Sequence, residues 1–359
     1  MAGLRITNCH VHCFTSRHVP SLFPHPLLWP FVKIPYLVRL LAFLFRLIGQ
    51  HPLAATLDRL FRFQQEASEI RQERILAKLV PQYPPGTRFV LLPMDLRSTG
   101  IGRIAAGLPA QHDELARLAA SPAFKNRALP FATLDPREPG AVDEARRAIE
   151  DLGFHGLKLY PRLGYPPDHE ALMRDVYPLL VERNLPVMTH CSRGGVSGRG
   201  VSSARGDRYC SPGALVPVLQ EFPTLRVCLA HFGGETDWRS YVEEGTPPDM
   251  QVDLADPACN WQVAIRHMIT CGQFPGIWTD ISYTLFHFED YAPFLKVFLE
   301  NETLAARVLF GSDYYMTRQK ALSERAVCIR LRVMLGEERF RRIAETNPEI
   351  WLGERPAPG

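Results

Sequence analysis

Short, almost uninterrupted apolar runs recur along the chain, separated by stretches in which apolar and polar residues alternate at helical spacing. Eight runs read as strands: LRITNCHVH (4–12), TRFVLLPM (87–94), ALPFATL (128–134), GLKLY (156–160), LPVMTHC (185–191), LRVCLAHF (225–232), GIWTDIS (276–282) and RVLFGSD (307–313). Near-continuous apolar strands are buried on both faces, as in parallel sheets. The intervening GAVDEARRAIEDLG, HEALMRDVYPLLVERN and GALVPVLQEF have the pattern of amphipathic helices. Eight such units predict an α/β fold of the (β/α)8 TIM-barrel type. A doubly wound open sheet is the alternative. It calls for a glycine-rich phosphate turn after the first strand, and HVHCFTSRH contains none.

The spacing is uneven once. Strand one ends near residue 13 and strand two starts near 87, far more chain than a βα unit needs. Residues 18–65 therefore read as an apolar helical cap inserted into a single domain spanning 1–359. The insertion follows strand one, on the side where barrel active sites sit. Within it, PLLWPFVKIPYLVRLLAFLFRLIG (26–49) is strongly apolar, but Lys33, Arg39 and Arg46 interrupt it and Pro30 and Pro35 break its first half. A spanning helix needs about 20 unbroken apolar residues. From Tyr36 onward a helix is predicted, with Arg39 and Arg46 on one face. Its uses are as a lid or oligomer contact, a peripheral membrane contact, or a core helix.

Composition narrows the class. The 359 residues are 46% hydrophobic with a formal net charge of +3, which argues against a nucleic-acid footprint. The eight cysteines, at 9, 13, 191, 210, 228, 259, 271 and 328, form no CxxC pair. They read as reduced thiols. No signal-peptide shape precedes the first strand, so a cytoplasmic location is expected, with membrane association through 26–49 as a variant.

The chemistry is concentrated at strand ends. His10 and His12 lie on strand one, Lys158 on four, His190 on five, His231 on six and Asp313 on eight. Residues i and i+2 share a face of a strand, so His10 and His12 can chelate one ion. One strand-end histidine is commonly a hydrogen-bonded core residue. Four histidines, a lysine and an aspartate at the same end of a barrel are a ligand set, suited to zinc and also to manganese or iron. Cys9 and Cys13 alternate with the two histidines and are expected to face away from them as packing residues. His18 and His287 are possible pocket lining, and Asp280 is a candidate to orient a ligand histidine.

This pattern of HxH, Lys, His, His and Asp resembles the metal site of the amidohydrolase superfamily. FATLDPREPGAVDEARRAIEDLGFHGLKLYP, LPVMTHCS, LRVCLAHFGG, RVLFGSDYYM and TNPEIWLG resemble its amidohydrolase-related branch, which includes metal-dependent decarboxylases. The resemblance leaves out roughly 18–80. It implies that His10, His12 and Asp313 hold one metal, that His190 and His231 hold a second, and that a carbamylated Lys158 bridges them. It also implies a metal-activated water, with Asp313 and His231 as catalytic groups. Without carbamylation, one metal on His10, His12, His190 and Asp313 is implied, as in the decarboxylases. Those enzymes usually lack the strand-four lysine and read AHGGG where this chain has AHFGG, which favours hydrolysis here.

The loop SRGGVSGRGVSSARGDRYCSPG is rich in arginine, and Arg193 is its nearest candidate for binding a substrate anion. Tyr160, Tyr314 and Arg318 are further substrate-binding candidates. The expected activity is hydrolysis of an amide, lactone or ester of a small, hydrophobic or carboxylated molecule. The alternative is decarboxylation of an aromatic or unsaturated acid. A homo-oligomer is expected.

Overall fold

The computed structural model describes residues 3–23, 34–51, 53–54, 57–58, 61, 65, 68–244, 252–284, 288–316 and 323–356. Each of the eight apolar runs contains a strand. β1 (Thr7–Val11), β2 (Arg88–Leu91) and β3 (Ala128–Pro130) form one parallel ladder. β4 (Ala132–Thr133), β5 (Leu157–Leu159), β6 (Val187–Thr189), β7 (Val227–Leu229), β8 (Ile277–Asp280) and β9 (Val308–Leu309) form the other. β3 and β4 are one run divided at Phe131. Its N–H donates back to the Leu91 carbonyl, while Ala132 N–H donates on to Gly156. At the far edge Cys9 N–H donates to Phe310 O and Asp313 N–H to His10 O, both at 2.9 Å. These bonds join the last strand to the first, and the architecture is the predicted TIM barrel.

The observed strands are shorter than the apolar runs because the backbone leaves the ladder as it approaches the site. Predicted helices form where their apolar stripes find the barrel. In Ala141–Glu150, Ala141, Ala145, Ala148 and Ile149 are buried at helical spacing, and Asp143 and Glu144 occupy the electropositive first turn. The helix expected over 169–184 is divided into a π-turn, Leu172–Val176, and an α-helix, Tyr177–Glu182. Pro178 has no N–H for the carbonyl four residues back, and the wider turn accommodates it.

Alternation along the strands separates two cores. Phe89, Leu91, Val187, Val227 and Ile277 belong to the large cluster under the helices. Cys9, Val90, Leu92, Phe131, Met188, Cys228, Trp278 and Leu309 form a second cluster with Ile350 and Trp351. These are the inward positions of the barrel. Trp351 stacks on Phe131 with centroids 5.5 Å apart and closes the barrel interior. By the same period, Lys158, His190 and Asp280 point to the axis, His190 and Asp280 one step above Met188 and Trp278. Cys9 corrects one expectation: it packs inward with this cluster. A register shift between Asn8 and Val11 breaks the alternation, so Cys9 and the two histidines all face the axis.

All eight cysteines are free. Residues 26–33 of the long apolar run lie outside the described residues. The helix predicted from Tyr36 is present as Pro35–Leu47. It buries Val38 and Ala42 and exposes Tyr36, Leu40, Phe43, Leu44, Leu47 and Ile48, Leu47 being 67% exposed. Arg46 pairs with Asp58, and the Arg39 guanidinium lies over the Phe61 ring. Among the described residues no helix is long and apolar enough to cross a membrane.

The two environments predict opposite responses. Trp351→Ala empties the floor of the barrel interior and is expected to cost about 3–5 kcal/mol, read from the urea midpoint. Leu40→Gln with Leu47→Gln is expected to change stability by no more than about 0.5 kcal/mol. It should lower the fluorescence of a bound apolar dye.

Candidate metal centre

The strand ends deliver their side chains to one cavity of about 260 Å³. Its polar wall includes His12, Lys158, His190, His231 and Asp313, and its apolar wall includes Phe14, Phe23, Met94 and Leu96. Phe23 belongs to the insertion after β1. His10 lies behind His12, fully buried. Gly311 allows this packing, since a Cβ there would lie 2.8 Å from His10 Cβ.

Hydrogen bonding assigns the tautomers. His10 Nδ1 is 2.8 Å from Asp280 Oδ2, and a carboxylate only accepts, so Nδ1 carries the proton and Nε2 presents a lone pair. His12 Nδ1 donates to the Leu92 carbonyl at 2.8 Å, which frees its Nε2 in the same way. The two Nε2 atoms lie 3.5 and 3.3 Å from Asp313 Oδ1. His10 Nε2 and Asp313 Oδ1 are buried with no hydrogen-bond partner. Tetrahedral N and O ligands at about 2.0–2.2 Å from a cation are about 3.4 Å apart, so these three atoms have the spacing of a coordination face. His10, His12 and Asp313 are one of two triads with metal-ligand proximity among the described residues.

The other triad is His10, His231 and Asp280. Its hydrogen bonds give it an orienting role. Asp280 Oδ1 accepts from His231 N–H at 2.8 Å and from Ser282 Oγ at 2.5 Å. The Ser282 oxygen then accepts from His231 Nδ1 at 3.0 Å. His231 Nε2 is left facing His190 Nδ1 at 3.1 Å. With a proton on His190 Nδ1 this is a hydrogen bond; with that proton on Nε2, two lone pairs face each other and can share a cation. Both arrangements are open to His190, because its Nε2 lies 3.4 Å from the Gly194 carbonyl and 3.2 Å from Ser192 Oγ.

Burial governs the charge states. It lowers His10 and His231 well below the usual imidazole range and His190 to about 3, with nearby cationic groups adding to the effect. The three rings are therefore neutral near pH 7 and available as ligands. Burial also pushes Asp313 up and Lys158 down, the latter opposed by Asp280 and Asp313.

The other candidates are placed less simply. Tyr160 stacks on His190 at 4.4 Å, and its hydroxyl accepts from Val196 N–H. Arg193 reaches the cavity wall, but its guanidinium is tied to Asp237 Oδ2 (3.0 Å) and Cys259 O (2.9 Å) and lies over Trp261. Arg193 is thus a wall residue of the cavity with part of its guanidinium engaged by the protein. Tyr314 is fully buried in the main core and is not among the residues lining the cavity. Arg318 and His287 lie outside the described residues. His18 is a packing residue whose Nδ1 accepts from Thr15 N–H. Sequence reasoning missed Ser282. The period that paired His10 with His12 also pairs Asp280 with Ser282 on one face, and that signal was available.

The amidohydrolase family model matches residues 80–353. No curated protein matches the chain. Among solved structures, a TIM-barrel protein from Bordetella bronchiseptica is 17% identical with a TM-score of 0.54, over 98% of this chain and 99% of that one. A manganese-bound 5-carboxyvanillate decarboxylase from Novosphingobium aromaticivorans is 14% identical with a TM-score of 0.54, over 98% and 97%. A probable 2-pyrone-4,6-dicarboxylic acid hydrolase from Acinetobacter baumannii is 13% identical with a TM-score of 0.53, over 98% and 100%. At these identities the likeness is one of fold.

In metal-free protein, His10, His190 and His231 are expected to show no titration between about pH 6 and 8, read from imidazole NMR resonances. Asp280→Asn sets an amide N–H against His10 Nδ1–H or gives up the bond from His231 N–H. It is expected to weaken metal binding about 10–100-fold, measured by chelator competition.

Proposed function

The chain belongs to the amidohydrolase family, and on that premise we propose that it is a metal-dependent hydrolase of an amide, lactone or ester bond in a small, largely apolar molecule. The observation that carries this reading is the pair of prepared ligand groups in one cavity. His10 Nε2, His12 Nε2 and Asp313 Oδ1 form one, and His190 Nδ1 with His231 Nε2 forms the other. Lys158 lines the same wall.

Zinc is the first choice for this nitrogen and oxygen set, and manganese the second, being present in the related decarboxylase structure. Divalent cations held there would supply Lewis acidity, bringing a water molecule's pKa toward neutrality and polarising the substrate carbonyl. Asp313 takes the proton of the attacking water and returns it to the departing nitrogen or oxygen. Burial raises its basicity for that purpose. His231, held through Nδ1 by Ser282, keeps its Nε2 turned toward His190 as part of the second ligand group. Burial favours the neutral amine of Lys158. That amine would add CO2 with loss of a proton, giving a carbamate whose anionic oxygens would offset part of the charge of cations held there. Phe14, Phe23, Met94 and Leu96 exclude water and receive the apolar part of the substrate.

Decarboxylation is the second reading, supported by the fold shared with 5-carboxyvanillate decarboxylase. It needs a free cation to grip the substrate carboxylate. Among the described residues Arg193 is partly engaged by Asp237 and Cys259, and in this reading Lys158 serves as an unmodified ammonium. Lys158 therefore separates the two readings. For the hydrolase, two metal ions per chain and the mass of one CO2 on Lys158 are expected, and Lys158→Met should lose both the added mass and one ion. One ion with an unmodified lysine, together with turnover of aromatic acids and none of amides, lactones or esters, would replace hydrolysis with decarboxylation. Asp313→Asn is expected to lower kcat about 10²–10⁴-fold in a screen across these substrate classes.

A further inference from the structure

The same strands that present ligands at one end carry arginines at the other. Arg226 immediately precedes β7 and Arg307 immediately precedes β9, whereas His231 and Asp313 follow those strands. Both arginines line a second cavity of about 610 Å³ at the N-terminal end of the barrel, together with Arg355. Trp278 and Ile350, both buried, contribute to its lining, and no Asp or Glu does.

Arg226 is held in place from several sides. It donates to Trp351 O at 2.6 Å, to Asn184 Oδ1 at 2.6 Å and to Asn184 O at 2.7 Å. Gly353 makes room for it, since a Cβ there would lie 2.7 Å from Arg226 Nη2. All these acceptors are neutral. Arg307 lies over the Trp278 ring, 4.8 Å from its centroid. Among the described residues its guanidinium has no hydrogen bond or ion pair. Arg355 has one carboxylate neighbour, Glu349, at 3.9 Å.

Arg226 and Arg307 are each partly buried, and among the described residues neither has a carboxylate partner to offset the loss of hydration. That loss lowers both below the usual arginine range, with no opposing charge acting on either. Burying an uncompensated cation is costly, and a surface pair of this kind is normally matched by an anion. Three arginines around one cavity match an anion with more than one negative charge and several oxygen faces better than a single carboxylate.

We propose that this cavity at the N-terminal end of the barrel is a binding site for a phosphate-type oxyanion, free or carried on a small molecule, separate from the metal centre. The guanidinium of Arg307 is its uncommitted donor, and Arg226 is its fixed one.

The test titrates the full-length, metal-loaded chain with inorganic phosphate and with pyrophosphate, following heat release and the indole N–H resonance of Trp278. Saturable binding that shifts this resonance is expected. Arg307→Gln should weaken it at least about tenfold, and Arg307→Lys should fall between the two. Tighter binding of pyrophosphate than of phosphate would indicate a ligand that carries its phosphate on a larger body, and the reverse a free phosphate site. Among the described residues the Arg307 guanidinium makes no hydrogen bond or ion pair, so the variant's circular dichroism and metal content should match the parent's. No saturable binding at millimolar phosphate or pyrophosphate would overturn the inference. So would equal affinity in a folded Arg307→Gln protein, because the anion would then be sitting on the metal centre or elsewhere. The outcome does not depend on which reaction the metal centre performs.

Discussion

The arrangement at the C-terminal end of the barrel depends on one buried carboxylate, that of Asp280. It accepts from His10 Nδ1, from His231 N–H and from Ser282 Oγ. Those three bonds set the tautomer of His10, the path of the chain through the turn after β7 and, by way of Ser282, the tautomer of His231. Two ring nitrogens on different strands consequently present lone pairs to the cavity, one beside Asp313 and one beside His190. A carboxylate is suited to this position because it cannot donate and therefore leaves its partners one orientation.

Part of the site is carried on backbone that is not at rest. His231, Phe232, Tyr283 and Asp313 all have φ between 48° and 72°, a region that L side chains enter at a cost of about 1–3 kcal/mol each. All four lie just beyond the ends of β7, β8 and β9. The surrounding bonds hold them there: Asp313 N–H donates to His10 O, and the carboxylate of Asp280 holds His231. The aliphatic and aromatic packing of the inner barrel, closed by Trp351 and Phe131, offsets this strain. Packing and polar groups are thus distributed along the strands, with apolar layers in the lower part and histidine and carboxylate side chains at the top.

The two ends of the barrel handle charge differently. At the C-terminal end, basic nitrogens are kept neutral by burial and face a carboxylate whose oxygen lacks a hydrogen donor, an arrangement that calls for cations. At the N-terminal end, guanidinium groups that cannot lose their protons sit in a concave wall with neutral acceptors, an arrangement that calls for an anion. The apolar helix Pro35–Leu47 is a third exception to ordinary surface chemistry. It buries one narrow face and leaves the other to solvent.

Much of this was legible in the chain itself. Period-two alternation and apolar run length are local properties, so all eight strands, their parallel arrangement and the clustering of His10, His12, Lys158, His190, His231 and Asp313 at one end could be read without coordinates. Those residues carry a resemblance to the family to which the chain belongs. Other features depend on partners distant in sequence, and only the folded chain decided them. The register shift in β1 turned Cys9 inward. The carbonyl of Leu92 freed His12 Nε2, Asp237 and Cys259 occupied Arg193, and the core took Tyr314. Arg226 and Arg307 look like ordinary residues before two strands until the barrel closes and brings them to one cavity, where no Asp or Glu stands among the described lining residues. Periodicity determines which way a side chain faces, whereas hydrogen-bond and charge partners are chosen across the fold, where a one-dimensional pattern carries no distance.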